Sequence, residues 1–301
     1  MQSSPDPANV AALFSSSSRW QSWLEVEAAL ALAQAELGLV PDDAAKEIAA
    51  KANLATISEE ALIADIERTQ APVLSLVHTL AAACSEHAGG YLHWGATTQN
   101  IILTGQVLQV RRAHVALLSQ LADSLNILAD LADTEAYTVM AGRTNRQHAL
   151  PITFRFKVAA WIEEFIRFDT RLREGEARLF SLVFGGAIGA MQAFSEHGPE
   201  LVKRLGTKLS LNPVLVPSRT TVDHFVEYLL NLIQLGTTCG KVSKELYQLM
   251  SEEFGEASEH LNASVRGSST LPQKVNPKLA VALIAQSAQL RGYATPTLEA
   301  G

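Results

Sequence analysis

The residues whose side chains are best suited to chemistry lie in one stretch, residues 267–277, which reads GSSTLPQKVNP. We call this stretch the hydroxyl segment. It holds one cation, Lys274, next to the amide of Asn276, and its two prolines exclude regular helix. Pro277 suits the start of a helix from Lys278, whose free N–H groups would favour an anion. The segment predicts a cradle for a carboxylate or an enolate. A solvated loop between helices is the alternative.

A second polar stretch, the histidine segment, covers residues 91–100 and reads YLHWGATTQN. Thr97 or Thr98 suits the N-cap of the apolar helical pattern that follows. The same geometry would let both hydroxyls and the amide of Gln99 hold a carboxylate at the helix start. His93 could be a general acid or an anion partner, although a lone histidine is more often structural.

A third stretch, the arginine segment, covers residues 142–151 and reads GRTNRQHALP. Arg143 and Arg146 could bind carboxylates, and Thr144 and Gln147 could orient a substrate by hydrogen bonds. Alternatively, both arginines cap the C-terminus of a preceding helix, where cations are favoured. We interpret this segment as a polar link between two long helices.

Composition limits the class of protein. The chain has 301 residues, 48% of them hydrophobic, and a formal net charge of −7, so we expect no nucleic-acid partner. Its two cysteines, Cys84 and Cys239, match no metal or disulfide spacing and indicate a reducing compartment. No secretory signal and no uninterrupted apolar stretch long enough to span a bilayer is visible. We therefore expect a cytoplasmic protein without a membrane partner.

The elements that must position these three segments are mostly helices, because apolar residues recur along the chain at helical spacing. The predicted helices cover 20–37, 42–52, 59–68, 72–87, 101–136, 151–180 and 221–262, and the best strand candidate is 213–216. Thr56 and Glu59 have the spacing of a capping box before the third helix. The pattern predicts an all-α fold, with a smaller helical N-terminal domain at 1–96 and an elongated long-helix bundle at 97–301.

One predicted helix is apolar around most of its circumference. Its leucines and isoleucine stand almost in a row: Leu229, Leu230, Leu232, Ile233 and Leu235. A helix that is apolar nearly all round is usually buried on every side, so we expect an oligomer. The alternative is a central helix in the core of a monomer.

In content and order, the three segments resemble the fumarase/aspartase superfamily. The hydroxyl segment matches its signature Gly-Ser-Ser-x-Met-Pro-x-Lys-x-Asn-Pro, with Leu271 in place of methionine. Residues 97–100 are similar to Thr-Ser-x-Asp of the adenylosuccinate lyase and carboxymuconate cycloisomerase branch, and residues 142–147 resemble its Gly-Arg-Thr-x-x-Gln. Residues 184–189 are similar to a glycine-rich turn of that branch. The resemblance runs from about residue 15 to the end.

This resemblance implies anti elimination from a succinyl-type substrate, or the reverse addition, without cofactor or metal. It implies that Ser268 is the base, with Ser269 a less favoured candidate, and that Lys274 and Asn276 hold one substrate carboxylate. A second carboxylate would be held by Thr97, Thr98 and Gln99. It also implies a homotetramer whose active sites each draw on three subunits. Since family members are longer, we expect the C-terminal part of the fold to be absent from this chain.

Departures from the family pattern narrow the substrate. Asn145 stands where adenylosuccinate lyase has an acid histidine, and the cycloisomerase branch also lacks that histidine. Asn100 replaces an aspartate, and residues 217–224, PSRTTVDH, differ from the Trp-His-Thr-x-Arg-Asp-Arg pattern of the cycloisomerases. The sequence therefore predicts an enzyme most like 3-carboxy-cis,cis-muconate cycloisomerase, acting on a small polycarboxylate.

Two alternatives stay open. A carbon–nitrogen lyase would release fumarate from an N-succinyl compound and use His93 or His148 as the acid. A catalytically silent helical bundle of the same fold is the second, although the intact Ser268, Lys274 and Asn276 argue against it.

Overall fold

The computed structural model describes residues 7–218, 220–259, 268, 270–271 and 273–301. Helices account for most of these residues, which confirms the all-α prediction. The α-helices are α1 (Ser16–Ala35), α2 (Asp42–Lys51), α3 (Glu59–Thr69), α4 (Pro72–Ala83), α5 (Glu86–Gly89), α6 (Thr98–Thr134), α7 (Phe154–Leu179), α8 (Gly198–Leu209), α9 (Asp223–Leu249), α10 (Lys278–Gly292) and α11 (Ala294–Glu299). Short 3-10 helices cover Pro7–Phe14, Leu54–Thr56 and Gln192–His197.

Contacts between Cα atoms divide the chain into two compact units. The first unit combines Met1–Ser119 with Glu176–Thr221, and the second combines Gln120–Gly175 with Val222–Gly301. The domain boundary between residues 96 and 97 stays a prediction.

The first unit is built on α1. Ser15 caps this helix by accepting a hydrogen bond from the N–H of Ser18 at 3.2 Å. Leu24 and Leu30 are fully buried along it. Helix α2 packs against α1 through small or branched side chains, so the two backbones approach closely. The shared cluster contains Ala31, Val40, Ala44, Ala45, Ile48 and Ala88.

Two details of the first unit differ from the prediction. The helix expected over 72–87 stops at Ala83, and Ser85 then caps the separate helix α5 by accepting from the N–H of Ala88. The expected capping box is wrong as well: Ser58 caps α3, and the Thr56 hydroxyl instead donates to two backbone carbonyls. Serine two residues nearer the helix accepts the free N–H, so the threonine is not needed there.

The second unit contains an antiparallel hairpin where a link between helices was expected. Strand β1 (Val139–Thr144) pairs with β2 (Gln147–Thr153), and α7 begins only at Phe154. The turn residues Asn145 and Arg146 have φ values of 49° and 63°. A two-residue turn with both φ values positive matches the twist of paired strands, and asparagine tolerates this conformation well. The second strand therefore continues through residues 151–153, where the sequence had predicted the start of a helix.

Helices α9 and α10 pack closely in the second unit. A Cβ on Gly236 would lie 2.2 Å from Leu290 Cδ2, and one on Gly240 would lie 2.2 Å from Ser287 Oγ, so only glycine fits at both contacts. The helix predicted over 221–262 ends at Leu249, before a turn at Gly255 with φ 59°. In the first unit, β3 (Ser181–Leu182) pairs in parallel with β4 (Asn212–Pro213), which covers only the start of the predicted strand at 213–216.

Helix α6 has 37 residues, and an 18-residue window within it reaches a mean hydropathy of 1.3. By length and composition it could cross a membrane, although polar and charged residues interrupt its apolar sequence. One such helix is weak evidence, since core helices of water-soluble proteins pass the same test. Only 17% of the residues in this window are buried within the chain.

Candidate active site

The histidine segment begins with a turn around His93. The N–H of Ala96 donates to the carbonyl of His93 at 3.2 Å, and Gly95 within this turn has φ 70°. A Cβ on Gly95 would lie 2.4 Å from the ring of Phe194, so the turn fits only with glycine. His93 itself adopts φ 60°, which is uncommon for a residue with a side chain. Its Nδ1 lies 2.6 Å from Oε1 of Glu27.

Asn100 organises the start of α6. Its side chain is 2% exposed, its Oδ1 accepts the N–H of Thr97 at 3.2 Å, and its Nδ2 donates to the carbonyl of Val183 at 3.5 Å. An aspartate could accept the first hydrogen bond but could not donate the second. Asn100 is therefore a structural residue. The start of α6 also contains the three predicted substrate-binding residues Thr97, Thr98 and Gln99, of which Thr98 is exposed.

The glycine-rich turn at residues 184–189 lies beside the histidine segment. A Cβ on Gly186 would come within 3.1 Å of the carbonyl of Gly95, and one on Gly185 or Gly189 would meet Pro217 at 2.9 or 2.5 Å. This end of the first unit therefore brings together the His93 turn, the glycine-rich turn and Pro217. The approach of three backbones explains why glycines recur there.

Arg143 of the arginine segment already has a carboxylate partner. Its Nη1 and Nη2 each lie 2.7 Å from an oxygen of Glu256, and its guanidinium carbon lies 4.9 Å from the ring centre of Phe254. The hydrogen bond from Arg143 holds the pKa of Glu256 below its ordinary value, although burial opposes this effect. A role for Arg143 in substrate binding stays a prediction, and it would require Glu256 to give way to a substrate carboxylate.

The remaining residues of the arginine segment lie toward the hairpin tip. Thr144 and Gln147 pair across the two-residue turn and are exposed, and Nε2 of His148 lies 3.4 Å from Nη2 of Arg143. A cavity of about 400 Å³ is lined by Arg143, Thr144 and Trp161 among others. Because the segment follows no helix directly, the alternative role of its arginines as helix caps is wrong.

The hydroxyl segment is described at Ser268, Thr270, Leu271 and residues 273–277. Ser268 Oγ accepts hydrogen bonds from the N–H groups of Thr270 and Leu271 at 3.3 and 3.2 Å. N–H donors aimed at an oxygen favour its anionic form, which a serine base requires. The Lys274 ammonium is exposed and forms no ion pair with the described residues, and Asn276 is half-buried. Ser269, the second candidate base, lies outside the described residues.

The helix start after the hydroxyl segment does hold an anion, but it belongs to the chain. The carboxylate of Glu259 accepts the N–H groups of Lys278, Leu279 and Ala280 at 2.8, 3.1 and 2.8 Å. Burial raises the pKa of Glu259, yet the three hydrogen bonds outweigh it and leave the pKa below its ordinary value. The expectation that these N–H groups are free for a substrate is therefore wrong.

A family model described as "Lyase" matches residues 5–292. The chain belongs to this lyase family. Its membership of the fumarase/aspartase superfamily, in the branch that includes adenylosuccinate lyase and 3-carboxy-cis,cis-muconate cycloisomerase, is confirmed.

Several members of the family are similar to this lyase chain. N-acetyl-S-(2-succino)cysteine lyase from Dickeya dadantii is 36% identical over 93% of this chain and 61% of its own length. Adenylosuccinate lyase from Methanocaldococcus jannaschii is 36% identical over 84% of this chain and 55% of its own length. The crystal structure of 3-carboxy-cis,cis-muconate lactonizing enzyme from Pseudomonas putida has a TM-score of 0.86 and 33% identity, covering 96% of this chain and 64% of that one. The chain thus spans less than two thirds of each.

Sequence reasoning missed three carboxylates of this lyase chain. Glu27, Glu256 and Glu259 contact His93, Arg143 and the start of α10 respectively. The signal for Glu27 was an acidic residue between the apolar residues Val26 and Ala28 of α1, because a charge on an apolar face needs a partner. The other two stand just before the hydroxyl segment, where no motif marked them. Within the part of the chain that the structure describes, no three His, Cys, Asp or Glu side chains group as metal ligands.

Proposed function

We propose that the full-length protein is a lyase or cycloisomerase that removes a proton from carbon next to a carboxylate. The arrangement around Ser268 supports this most directly, since two backbone N–H groups donate to its Oγ. A serine whose oxygen is stabilised as an anion can take the proton. The C–H electron pair becomes the enolate and then the carbon–carbon double bond, and the bond to the leaving group breaks with its pair. The reverse sequence is an addition.

Two groups of residues would hold the substrate. The exposed ammonium of Lys274 and the amide of Asn276 would bind the carboxylate that becomes the enolate, because charge develops there. Thr97, Thr98 and Gln99 at the start of α6 would bind a second carboxylate. The substrate class is therefore a small polycarboxylate, bound without cofactor or metal.

Asn145 narrows the kind of leaving group that the enzyme can release. It occupies the hairpin turn and has no ionisable proton, so no acid stands at that position. Leaving groups that depart without protonation are then favoured. One is a carboxylate oxygen of the substrate itself, as in a lactone, which supports an activity most like that of 3-carboxy-cis,cis-muconate cycloisomerase.

A second candidate is elimination of a thiolate from an S-succinyl compound. A thiol has a pKa of about 8.5, so its sulfur can leave as a thiolate, whereas an amine nitrogen must be protonated before it leaves as the neutral amine. The similarity to the N-acetyl-S-(2-succino)cysteine lyase of Dickeya dadantii favours this reading.

A carbon–nitrogen lyase remains the third possibility, supported by the similarity to adenylosuccinate lyase. It needs a proton donor, for which His93 is better placed than His148. Among the described residues, Nε2 of His93 has no hydrogen-bond partner, whereas Nε2 of His148 faces the Arg143 guanidinium at 3.4 Å.

We further propose a cytoplasmic homotetramer with composite active sites and with no membrane or nucleic-acid partner. Uncovered apolar side chains on the helices support the assembly. Leu279 is 62% exposed at the start of α10, and Leu229 of α9 is 44% exposed, whereas Ile233 and Leu235 of α9 are buried within this chain. Apolar helical faces of this kind are typically covered by other subunits.

A substrate screen tests the proposal. The full-length protein is offered 3-carboxymuconate, S-succinylcysteine, adenylosuccinate and argininosuccinate, and the muconate and fumarate absorbances are followed. Loss of muconate absorbance supports the cycloisomerase. Fumarate from the thioether or from an N-succinyl compound selects the second or third candidate. No change with any substrate would leave the catalytically silent bundle and contradict the proposal.

A further inference from the structure

A buried carboxylate lies behind the His93 turn. Glu27 is 1% exposed in the middle of α1, and its Oε1 is 2.6 Å from Nδ1 of His93. Its Oε2 is also buried, and among the described residues no donor reaches it. Burying a carboxylate is costly unless it is paired, so the contact with His93 is the main compensation that the described structure offers.

Helix α1 holds this turn at a second point. Gln34, also 1% exposed, donates from Nε2 to the carbonyl of Trp94 at 2.7 Å. Glu27 and Gln34 are two helical turns apart and therefore lie on one face of α1. One helix face thus binds the ring of His93 and the backbone of the next residue. The left-handed backbone of His93, with φ 60°, is held from both sides.

We infer that Glu27 is a positioning residue for His93, an inference that rests on the proposed lyase chemistry. A carboxylate can only accept at Nδ1, so the neutral imidazole carries its proton on Nδ1 and presents a bare Nε2. When the ring is protonated, both nitrogens carry a proton and Nε2–H becomes the donor. His93 can therefore pass a proton to or from the substrate through Nε2 alone.

A purely structural pair would also bury Glu27, and the two readings differ in what they predict. A structural pair would favour folding but would leave the chemical step unaffected once the protein has folded. A positioning pair changes which nitrogen of His93 carries the proton. Without an acceptor at Nδ1, the ring returns toward the Nε2–H form that histidine favours in water, and the ring is free to rotate.

The first experiment measures the protonated nitrogen directly, in full-length protein labelled with ¹⁵N in the histidine rings. His93 is assigned by its loss in His93→Gln. We expect Nδ1–H and a bare Nε2 in the parent protein and in Glu27→Gln, whose amide oxygen still accepts. We expect Nε2–H in Glu27→Met. The control, Glu47→Gln, removes a carboxylate that binds Ser85 elsewhere in the first unit and should leave His93 unchanged. The inference would be overturned if the neutral ring of His93 still carried its proton on Nδ1 in Glu27→Met.

The second experiment follows turnover with an N-succinyl substrate, the candidate whose leaving group needs a proton from His93. Glu27→Met should lower kcat by about 10²-fold with little change in KM, and Glu27→Gln should recover part of it. In a His93→Gln background the Glu27 substitutions should have no further effect. The positioning role would be refuted if Glu27→Met kept full turnover although the proton of His93 had moved to Nε2. Because the ring measurement needs no substrate, a failed screen would count against the proposed lyase alone.

Discussion

The carboxylate of Glu259 accepts the backbone N–H of Lys278 at 2.8 Å, although the two residues are 19 positions apart. The contact links a residue before the hydroxyl segment to the first residue of the helix that follows the segment. An acidic side chain at a helix N-terminus is stabilised by the free N–H groups and by the helix dipole. The contact therefore supports both α10 and the segment that carries Ser268.

Glu259→Gln should destabilise the protein by about 0.5–1 kcal/mol at pH 7, because the cap loses its charge. The pKa of Glu259 is lowered in the folded protein, so its contribution is fully present above the ordinary glutamate pKa of about 4.3. It is lost as the pH falls through the lowered value. Denaturant unfolding at pH 7 and pH 3 should show a difference that shrinks in acid. Glu252→Gln, an exposed neighbour, is the control; a difference that grows in acid contradicts the prediction.

Ser268→Ala should lower turnover by about 10²–10⁴-fold, because the base is lost while the surrounding N–H groups remain. Helicity by circular dichroism and the oligomer mass should not change. Ser124→Ala, the same substitution on the exposed surface of α6, serves as the control. If Ser268→Ala keeps normal turnover and Ser269→Ala loses it, the neighbouring serine is the base instead.

Asn145→Gly should preserve stability within about 0.5 kcal/mol and should leave turnover nearly unchanged, because glycine adopts φ 49° freely. Asn145→Val should destabilise the hairpin by about 1–3 kcal/mol, since a β-branched residue is strained there. Thermal unfolding and steady-state kinetics check both. A loss of activity in a stable Asn145→Gly variant would show that the amide takes part in the reaction.

Gly95→Ala should cost about 2–4 kcal/mol, combining a strained φ of 70° with a clash against the ring of Phe194. Gly38→Ala is a matched control, because Gly38 has the same φ and nothing lies within 4 Å of its added Cβ. The difference between their unfolding midpoints isolates the contacts of the added Cβ with Phe194 and Ala193. Equal losses would mean that the ring moves aside without cost.

Asn100→Asp should destabilise the protein by about 1–3 kcal/mol at pH 7, because a buried carboxylate would face the carbonyl of Val183. The variant should regain stability as the pH falls and the new carboxyl group becomes protonated and can donate. Urea unfolding across pH 4–7 measures this. A variant that is as stable as the parent at pH 7 would show that the contact with Val183 contributes nothing.

Long helices could be predicted because their apolar periodicity extends over many turns, as in α6 and α7. The hairpin could not, because its outcome depends on two backbone angles at Asn145 and Arg146 rather than on any pattern of hydrophobicity. The site segments were located by residue type. The partners of these segments could not be located in this way. Glu27 contacts His93, and Glu256 contacts Arg143, but each pair is far apart in sequence and meets only in the folded protein.

The hairpin turn at Asn145 has an evolutionary consequence. The turn requires only residues that can adopt a positive φ, and asparagine and histidine are both enriched in that conformation. A proton donor can thus be gained or lost at the tip by one exchange, while the pairing of β1 with β2 persists. A scaffold of this kind can diverge among substrates with different leaving groups without passing through an unfolded ancestor.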